Sequence, residues 1–478
     1  MAILKDWLKG TEYKLLNGTD ECEVNDVVFD SRKAAPDTVF LCMCGSKTDS
    51  HDFIPDVLSK GCKTFVVEKA LLDLKLSEEE LKDINIIFTE NARKTLAYLA
   101  AARFDHPADK LKLIGLTGTK GKTSTSYMFK AVFDKCGIKA GVIGTNGVVI
   151  GDEQFEIKNT TPDSYDLNSY FYRMLEAGCE YVVMECSSQG FKMNRTDALS
   201  FDYGVFLNIS PDHIGPLEHA DFDEYLYCKS RLFTQCDTAV VNADDEHTDE
   251  LMKLAEFRGK QYRFSIADKD ADLNAHELRF RTSADFAGTV FDTNGLINNE
   301  FSLGIPGDYN VSNAMAVITV AYDLGLPVDK LKEALRYVHV TGRSEVVYKS
   351  DRFTVLVDYA HNEVSMVNLM ETLRKYEPKR LVVVFGCGGN RSKDRRIGMG
   401  GTAAHCADLS IFTADNSRFE KTEDIVSDIE QAYLEAGGKS GNYIKILDRR
   451  EAIRYAMANA EDGDIIAVIG KGHEDYQE

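Results

Sequence analysis

Leu111–Thr125, LKLIGLTGTKGKTST, decides how the rest of the chain is read. Leu111–Leu116 is an apolar run interrupted only by Lys112, as in a buried strand. Gly118-Thr119-Lys120-Gly121-Lys122-Thr123 follows, and then apolar residues recur at helical spacing, which predicts a helix starting near Lys122. Strand, glycine loop and helix start in this order make a phosphate loop. Glycines let backbone N–H groups turn inward without a Cβ clash, and the helix dipole attracts polyphosphate. Lys122 then neutralises the β/γ-phosphates, and the Thr123 hydroxyl holds Mg²⁺. Leu116 stands where the strict eight-residue pattern has glycine, so this is the shorter Thr-Gly-Thr-x-Gly-Lys-Thr form. The bland alternative is a glycine-bearing turn with a chance Gly-Lys-Thr. The flanking elements favour an ATP-using enzyme.

Composition bounds the rest. At 478 residues, about three domains are expected. A formal charge of −21, from 56 basic and 77 acidic residues, argues against non-specific binding to nucleic acid or an anionic membrane. No apolar stretch approaches the roughly 20 residues that span a bilayer. The start, MAILKDWLKG, is too short and charged for a signal peptide. The eleven cysteines are scattered, and Cys42 and Cys44, read as lying on a strand, have no second pair for zinc. Reduced thiols in the cytoplasm are the expectation.

The elements before the loop, strands near Val24–Phe29, Thr38–Met43, Cys62–Val67 and Ile84–Phe88 with helices between, describe a small α/β domain over 1–108. Asp30-Ser31-Arg32 is either a helix cap or a polar ligand site, and Asp and Ser favour the cap. The second domain, 109–340, carries the phosphate loop on a mostly parallel sheet. Tyr181–Met184 is an apolar run ending in Glu185, where a nucleotide site expects a Mg²⁺ ligand. His213, after the strand Tyr203–Leu207, reads equally as a metal ligand or a satisfied loop histidine. Lys229 lies on a helix, and from the residues alone a solvated side chain is the choice. Asp268–Glu300 alternates as an antiparallel flap does. Asn310 and Asn313 precede an alanine-rich helix. The third domain, 341–478, alternates strands and helices as a Rossmann-like α/β unit with a mostly parallel sheet. Its loop Gly386-Cys387-Gly388-Gly389 runs into Arg391, Lys393, Arg395 and Arg396, a concentration of charge suited to an anionic ligand group.

Motifs from all three domains occur in an order that resembles the Mur ligase family, and within it the UDP-N-acetylmuramoyl-tripeptide synthetases. They are DSR at Asp30, TGTKGKTST, TTP at Thr160, MECSSQ at Met184, NISPDH at Asn208 and CKSRLF at Cys228. GDYNVSNA at Gly307, GRSE at Gly342, DYAHN at Asp358, FGCGGNRSKDRR at Phe385, ADNSRFE at Ala414 and VIGKGHEDYQ at Val468 follow. The resemblance implies ATP-dependent amide ligation in peptidoglycan synthesis, through an acyl phosphate, by a cytoplasmic monomer. The partners it implies are UDP-N-acetylmuramoyl-dipeptide and a free amino acid, with no nucleic acid and no membrane.

It also implies roles. Lys122, Glu185, His213, Asn313, Arg343 and Asp358 match the family's catalytic set. Thr123 and Glu185 match the ligands of one Mg²⁺, and His213 a ligand of the second. Lys229 matches a carbamylated lysine supporting that second metal, which displaces the solvated reading. Gly118, Thr119, Lys120, Gly121, Ser124, Asn310 and Arg343 join the ATP site, and Arg343 and Asp358 are expected to close onto the nucleotide. Ser31 matches the uridine side. Thr160, Thr161, Ser188 and Arg195 match the muramoyl-peptide and pyrophosphate site. Arg396, Asp415, Asn416, Arg418, Gly470 and Glu474 match the amino-acid site. Gln189 replaces a usual His, Asn390 an Asp, and Ser417 a Pro, and the DHIGPLEH loop is unusual. The added amino acid is expected to be meso-diaminopimelate rather than L-lysine or another amino acid, because Arg418 suits a terminal carboxylate and repels a terminal ammonium; the alternative is a divergent ligase of the same family acting on another carboxylate.

Overall fold

The computed structural model describes residues 2–45, 48–216, 218–474 and 476–477. Leu217 of the DHIGPLEH loop and Asp475 of the C-terminal motif therefore lie outside the described residues. The chain is α/β throughout, and three sheets concern the sites.

The N-terminal sheet has five strands in the order Lys14–Asn17, Asn85–Phe88, Thr64–Val67, Thr38–Leu41 and Asp26–Val28. All neighbours are parallel except the first pair. Val39, Leu41, Val66 and Ile87 face one core with Trp7 and Leu96, and Phe40, Phe65, Val67 and Ile86 face the other with Ile54 and Val57. Burial on both faces explains why these strands read as continuous apolar runs. The edge strand Lys14–Asn17 is Lys-Leu-Leu-Asn, with no fully buried residue and neither an apolar run nor an alternation to mark it in the sequence. Thr38–Leu41 ends before Cys42, so the Cys-x-Cys pair lies beyond the strand. Cys44 instead gathers with Asp49 and His51, their ligand-type atoms within 4.8 Å of one another. His51 Nδ1 bonds Asp49 at 2.6 Å, and Nε2 accepts the Glu68 N–H at 3.0 Å. Both ring nitrogens are thus engaged in bracing the loop.

By compactness the chain falls into two units. One runs up to Lys122 and includes Ile138–Ala239 and Asp245–Gln261. The other comprises Thr123–Gly137, Val240–Asp244 and the chain from Tyr262 onward.

In the first unit, Lys112–Thr117 lies between Tyr181–Glu185 and Phe201–Phe206, all parallel, with Ala140–Gly144 beyond. Five of the six residues of Lys112–Thr117 are buried, as the apolar run requires. Parallel pairing puts the carboxyl ends of all these strands on one edge. The phosphate loop, Glu185 and the Asn208–His213 segment therefore leave the sheet together. A hairpin strand, Gly147–Ile150, and a short strand, Glu153–Phe155, continue this sheet antiparallel.

In the second unit, the expected flap is an antiparallel meander of Leu273–Thr282, Ala287–Gly295 and Asn299–Leu303. Asn310 and Asn313 lie inside the helix Asp308–Asp323 rather than ahead of it. A six-stranded sheet follows, ordered Glu345–Lys349, Phe353–Asp358, Asp464–Ile469, Arg380–Phe385, Leu409–Phe412 and Tyr443–Lys445. Only the first pair is antiparallel. The carboxyl ends of its four central strands deliver Asp358, Gly470, Gly386 and the Asp415 loop to one edge.

Candidate active site

The helix Lys122–Cys136 begins at the end of the glycine loop, as its sequence predicts. Gly121 has φ +86°, a left-handed conformation that favours glycine. Thr119 fastens the loop to the neighbouring strand end: its N–H donates to Asn208 O at 2.9 Å, and its hydroxyl lies 3.0 Å from Tyr225 Oη. The Lys120 N–H donates to Asn208 Oδ1 at 2.9 Å. Lys122 Nζ donates to Gly118 O at 2.6 Å, folding back over the loop. Thr123 and Ser124, in the first turn of the helix, are buried.

Lys229 is 1% exposed, a correction to the solvated side chain that its residues alone suggested. The helix Phe222–Ser230 turns this face inward with Tyr225 and Leu226. Its Nζ donates to Gly118 O at 2.8 Å and sits 4.5 Å from the centre of the Tyr225 ring. Burial, and after it the charge of Lys122, holds its amine well below the usual lysine range. This buried amine lies beside the phosphate loop.

Glu185 is 1% exposed. Its Oε1 accepts the Thr145 N–H at 3.0 Å and its Oε2 the Thr145 hydroxyl at 3.1 Å. Each oxygen keeps a further lone pair for a cation. A Cβ at position 144 would collide with Glu185 Oε1, so Gly144 makes room for this carboxylate. Gly144→Ala is expected to lower stability by about 1–3 kcal/mol through overpacking. It should also weaken catalysis more than the melting temperature explains; a variant with wild-type stability and turnover would remove Gly144 from the argument. His213 lies at φ +54°, with Nδ1 2.8 Å from Glu218 Oε1, so Nε2 is the ring nitrogen that could hold a metal. Glu185 and His213 each offer an atom that could hold a cation, and burial that lowers the Lys229 amine's proton affinity suits it to carbamylation.

Thr161 has its hydroxyl committed inside the fold, donating to Glu185 O and accepting the Ser187 N–H, both at 2.9 Å. Arg195 Nη1 donates to Thr161 O at 2.7 Å, and burial holds its guanidinium below the usual range. Thr160 Oγ1 lies 3.1 Å from Thr145 Oγ1. Ser188 is buried and lies 2.9 Å from His219 Nε2, a partner the sequence reading missed. Asp30 caps the short helix Ser31–Lys33 by accepting the Arg32 N–H, so the cap reading holds, and Ser31 is that helix's first residue.

In the second unit Asn310 Nδ2 donates to Pro306 O at 2.6 Å, and Asn313 Nδ2 to Asn310 Oδ1 at 3.2 Å. Asp358 accepts the Ser344 N–H at 2.7 Å, and burial pushes its carboxyl up. The Arg343 guanidinium lies 4.6 Å from the centre of the Tyr359 ring. Tyr359 in turn donates to Glu474 Oε1 at 3.3 Å.

The amino-acid candidates converge. Asn416 Nδ2 donates to Glu474 Oε2 at 2.9 Å, and Lys471 Nζ donates to Asn416 Oδ1 at 2.9 Å. Arg418 Nη1 donates to Gly389 O at 3.0 Å. A Cβ on Gly470, at φ +112°, would sit 2.6 Å from Asp415 Oδ2. Arg396 differs from the anion-facing residue the basic loop suggested. It is 2% exposed, with Nη2 on both Glu420 oxygens and Nη1 on Asp428, each at 2.8 Å. Glu420 also accepts the Asn390 N–H at 2.5 Å, so Arg396 ties the glycine loop to the Asp415–Glu420 loop.

Residues 116–321 match the family described as the Mur ligase middle domain, and residues 342–472 match the Mur ligase, glutamate ligase domain. A UDP-N-acetylmuramoyl-L-alanyl-D-glutamate--2,6-diaminopimelate ligase from Clostridium perfringens is 38% identical, over 99% of this chain and 95% of its own. The chain belongs to the Mur ligase family. A ligase of the same name from Caldanaerobacter subterraneus subsp. tengcongensis is 39% identical over the same shares of the two chains. A solved structure of a ligase so named has a TM-score of 0.72 at 28% identity, covering 95% of this chain and 91% of that one. A folylpolyglutamate synthase from Mycobacterium tuberculosis, at 18% identity and a TM-score of 0.61, shares the fold over 79% of this chain and 92% of its own. Among the described residues no helix is long and apolar enough to cross a membrane.

Proposed function

We propose that this Mur ligase uses ATP to join meso-diaminopimelate to UDP-N-acetylmuramoyl-L-alanyl-D-glutamate, releasing ADP and phosphate. The observation that carries the amino acid is the Asn416–Glu474 pair beside Arg418. A side chain ending in a carboxylate and an ammonium needs a guanidinium for one and a carboxylate for the other. Arg418 and Glu474 supply both, and Asn416 fixes Glu474. L-lysine, lacking the terminal carboxylate, would set its ammonium against Arg418.

The chemistry begins with the glutamate carboxylate of the acceptor attacking the γ-phosphate of ATP. The bond to the β-phosphate oxygen breaks, and ADP leaves. The amine of diaminopimelate then adds to the acyl phosphate carbon, and the tetrahedral intermediate collapses to the amide with loss of phosphate. A free carboxylate is a poor electrophile, which is why activation is needed. Lys122 neutralises charge on the transferring group, and the loop N–H groups orient the phosphates. Thr123 and Glu185 would hold one Mg²⁺, and His213 and carbamylated Lys229 a second. Bound there, the metals withdraw charge from the phosphoryl oxygens. Asn310 and Asn313 serve the nucleotide, and Arg343 and Asp358 act there from the C-terminal domain. Ser31 serves the uridine side, and Thr160, Thr161, Ser188 and Arg195 the muramoyl-peptide side. In Thr161 the backbone carbonyl held by Arg195, rather than the committed hydroxyl, fits that role. For Arg396 the reading is indirect, through Glu420. The domains proposed are 1–108 for the acceptor's nucleotide, 109–340 for ATP and 341–478 for the amino acid, in a cytoplasmic monomer.

The test is an amino-acid panel with this acceptor and phosphate release as readout. Meso-diaminopimelate should exceed L-lysine by at least about a hundredfold in kcat/KM, the scale of one charge pair made against one like-charge contact. Turnover of L-lysine equal to or above that of meso-diaminopimelate would reject the assignment.

A further inference from the structure

Ser188 and His219 form a pair whose proton order can be derived. The helix Ser188–Lys192 is capped by Ser187, whose hydroxyl accepts the Gly190 N–H at 3.0 Å. The cap is therefore Ser187, and the Ser188 hydroxyl is left for another task. It lies 2.9 Å from Nε2 of His219, a side chain with no exposed surface. His219 Nδ1 is buried with no hydrogen-bond partner among the described residues and lies 3.8 Å from Glu224 Oε2. That carboxylate is held in place by the Ala220 N–H at 2.7 Å and Lys192 Nζ at 2.9 Å. A nitrogen lone pair facing a fixed carboxylate is repelled, whereas an N–H is attracted. The imidazole proton therefore belongs on Nδ1, Nε2 is an acceptor, and the Ser188 hydroxyl donates to it. With its one hydrogen so used, Ser188 Oγ has only lone pairs to offer a ligand.

We propose that His219 is a positioning residue that makes Ser188 a hydrogen-bond acceptor for an amide N–H of the acceptor's peptide arm. This rests on the substrate reading above and narrows it. A phosphate or carboxylate has no hydrogen to give and would meet Ser188 lone pair to lone pair, so Ser188 does not bind those groups.

The test uses two ester analogues of UDP-N-acetylmuramoyl-L-alanyl-D-glutamate, each with one peptide-arm N–H replaced by oxygen. With the wild-type protein one ester should raise KM for the acceptor about tenfold, the scale of one neutral hydrogen bond. In Ser188→Ala and His219→Phe the natural acceptor should already show that rise, and the same ester should add nothing further. The effect should fall on KM for the acceptor and not on KM for ATP. Phenylalanine keeps the ring against Tyr225, whose centre lies 5.2 Å away, and the wild-type arm needs no variant at all. If neither ester changes the wild-type KM, or if the ester effect is as large in both variants, the inference is wrong. If the wild type releases no phosphate even with the natural acceptor, the functional reading itself fails.

Discussion

Lys229→Ala is expected to lower phosphate release by about two to three orders of magnitude, the usual scale for removing one support of a catalytic metal or charge site. The side chain is buried, burial holds its amine well below the usual lysine range, and its nitrogen reaches Gly118 O in the phosphate loop. An ammonium in that position would be a second positive charge beside Lys122. Carbon dioxide added to the deprotonated amine, with one proton released to solvent, would give a carbamate, an anion able to face a cation. A short-chain carboxylic acid entering the space left by alanine should restore part of the lost rate, because it returns a carboxylate without the lysine. The check is turnover with and without added acid, alongside a thermal melt to separate chemistry from folding. Normal turnover by Lys229→Ala, or no rescue by any small acid in a folded variant, would remove the carbamate from the mechanism.

The second large effect is expected from Arg418→Ala. Loss of a charge-assisted, two-point contact to a carboxylate is worth about 1.5–3 kcal/mol, or roughly tenfold to a hundredfold in kcat/KM for meso-diaminopimelate. Nucleotide affinity should be unchanged. Selectivity carries more information than rate: the ratio of meso-diaminopimelate to L-lysine turnover should fall towards one, because the repulsion that excludes L-lysine disappears with the attraction. A variant that keeps its preference for meso-diaminopimelate would show that another group reads the terminal carboxylate.

Much of this arrangement was legible in sequence, for identifiable reasons. Lys112–Thr117, Tyr181–Glu185 and Asp464–Ile469 are buried on both faces, so they appear as unbroken apolar runs, and the chemistry follows at their carboxyl ends. The antiparallel meander was visible because its strands alternate. Lys229 was not visible, since its helix has tyrosines on both faces and apolar spacing alone does not place the lysine. Only the family motif placed it. Arg396 was misread for a related reason. Charge density in a loop says nothing about whether partners arrive from elsewhere, and Glu420 and Asp428 lie 24 and 32 residues away. The same limit hid His219, whose link to Ser188 spans 31 residues. Ser417, standing in for a proline, has its hydroxyl 2.7 Å from Thr422 Oγ1, a side-chain tie that no composition rule anticipates.

Arg418 has φ +51°, in the left-handed region where an L-residue is strained by about 1–2 kcal/mol. Glycine would sit there more comfortably, and asparagine nearly so, but neither carries a charge. With Arg418 reading the incoming amino acid as proposed, selectivity and robustness pull in opposite directions at one codon. A laboratory selection for heat tolerance alone would drift towards glycine at 418 and enrich catalysts that have forgotten which amino acid to accept. A selection that keeps the cell wall chemistry honest must hold the arginine in its strained place and find its robustness elsewhere in the chain.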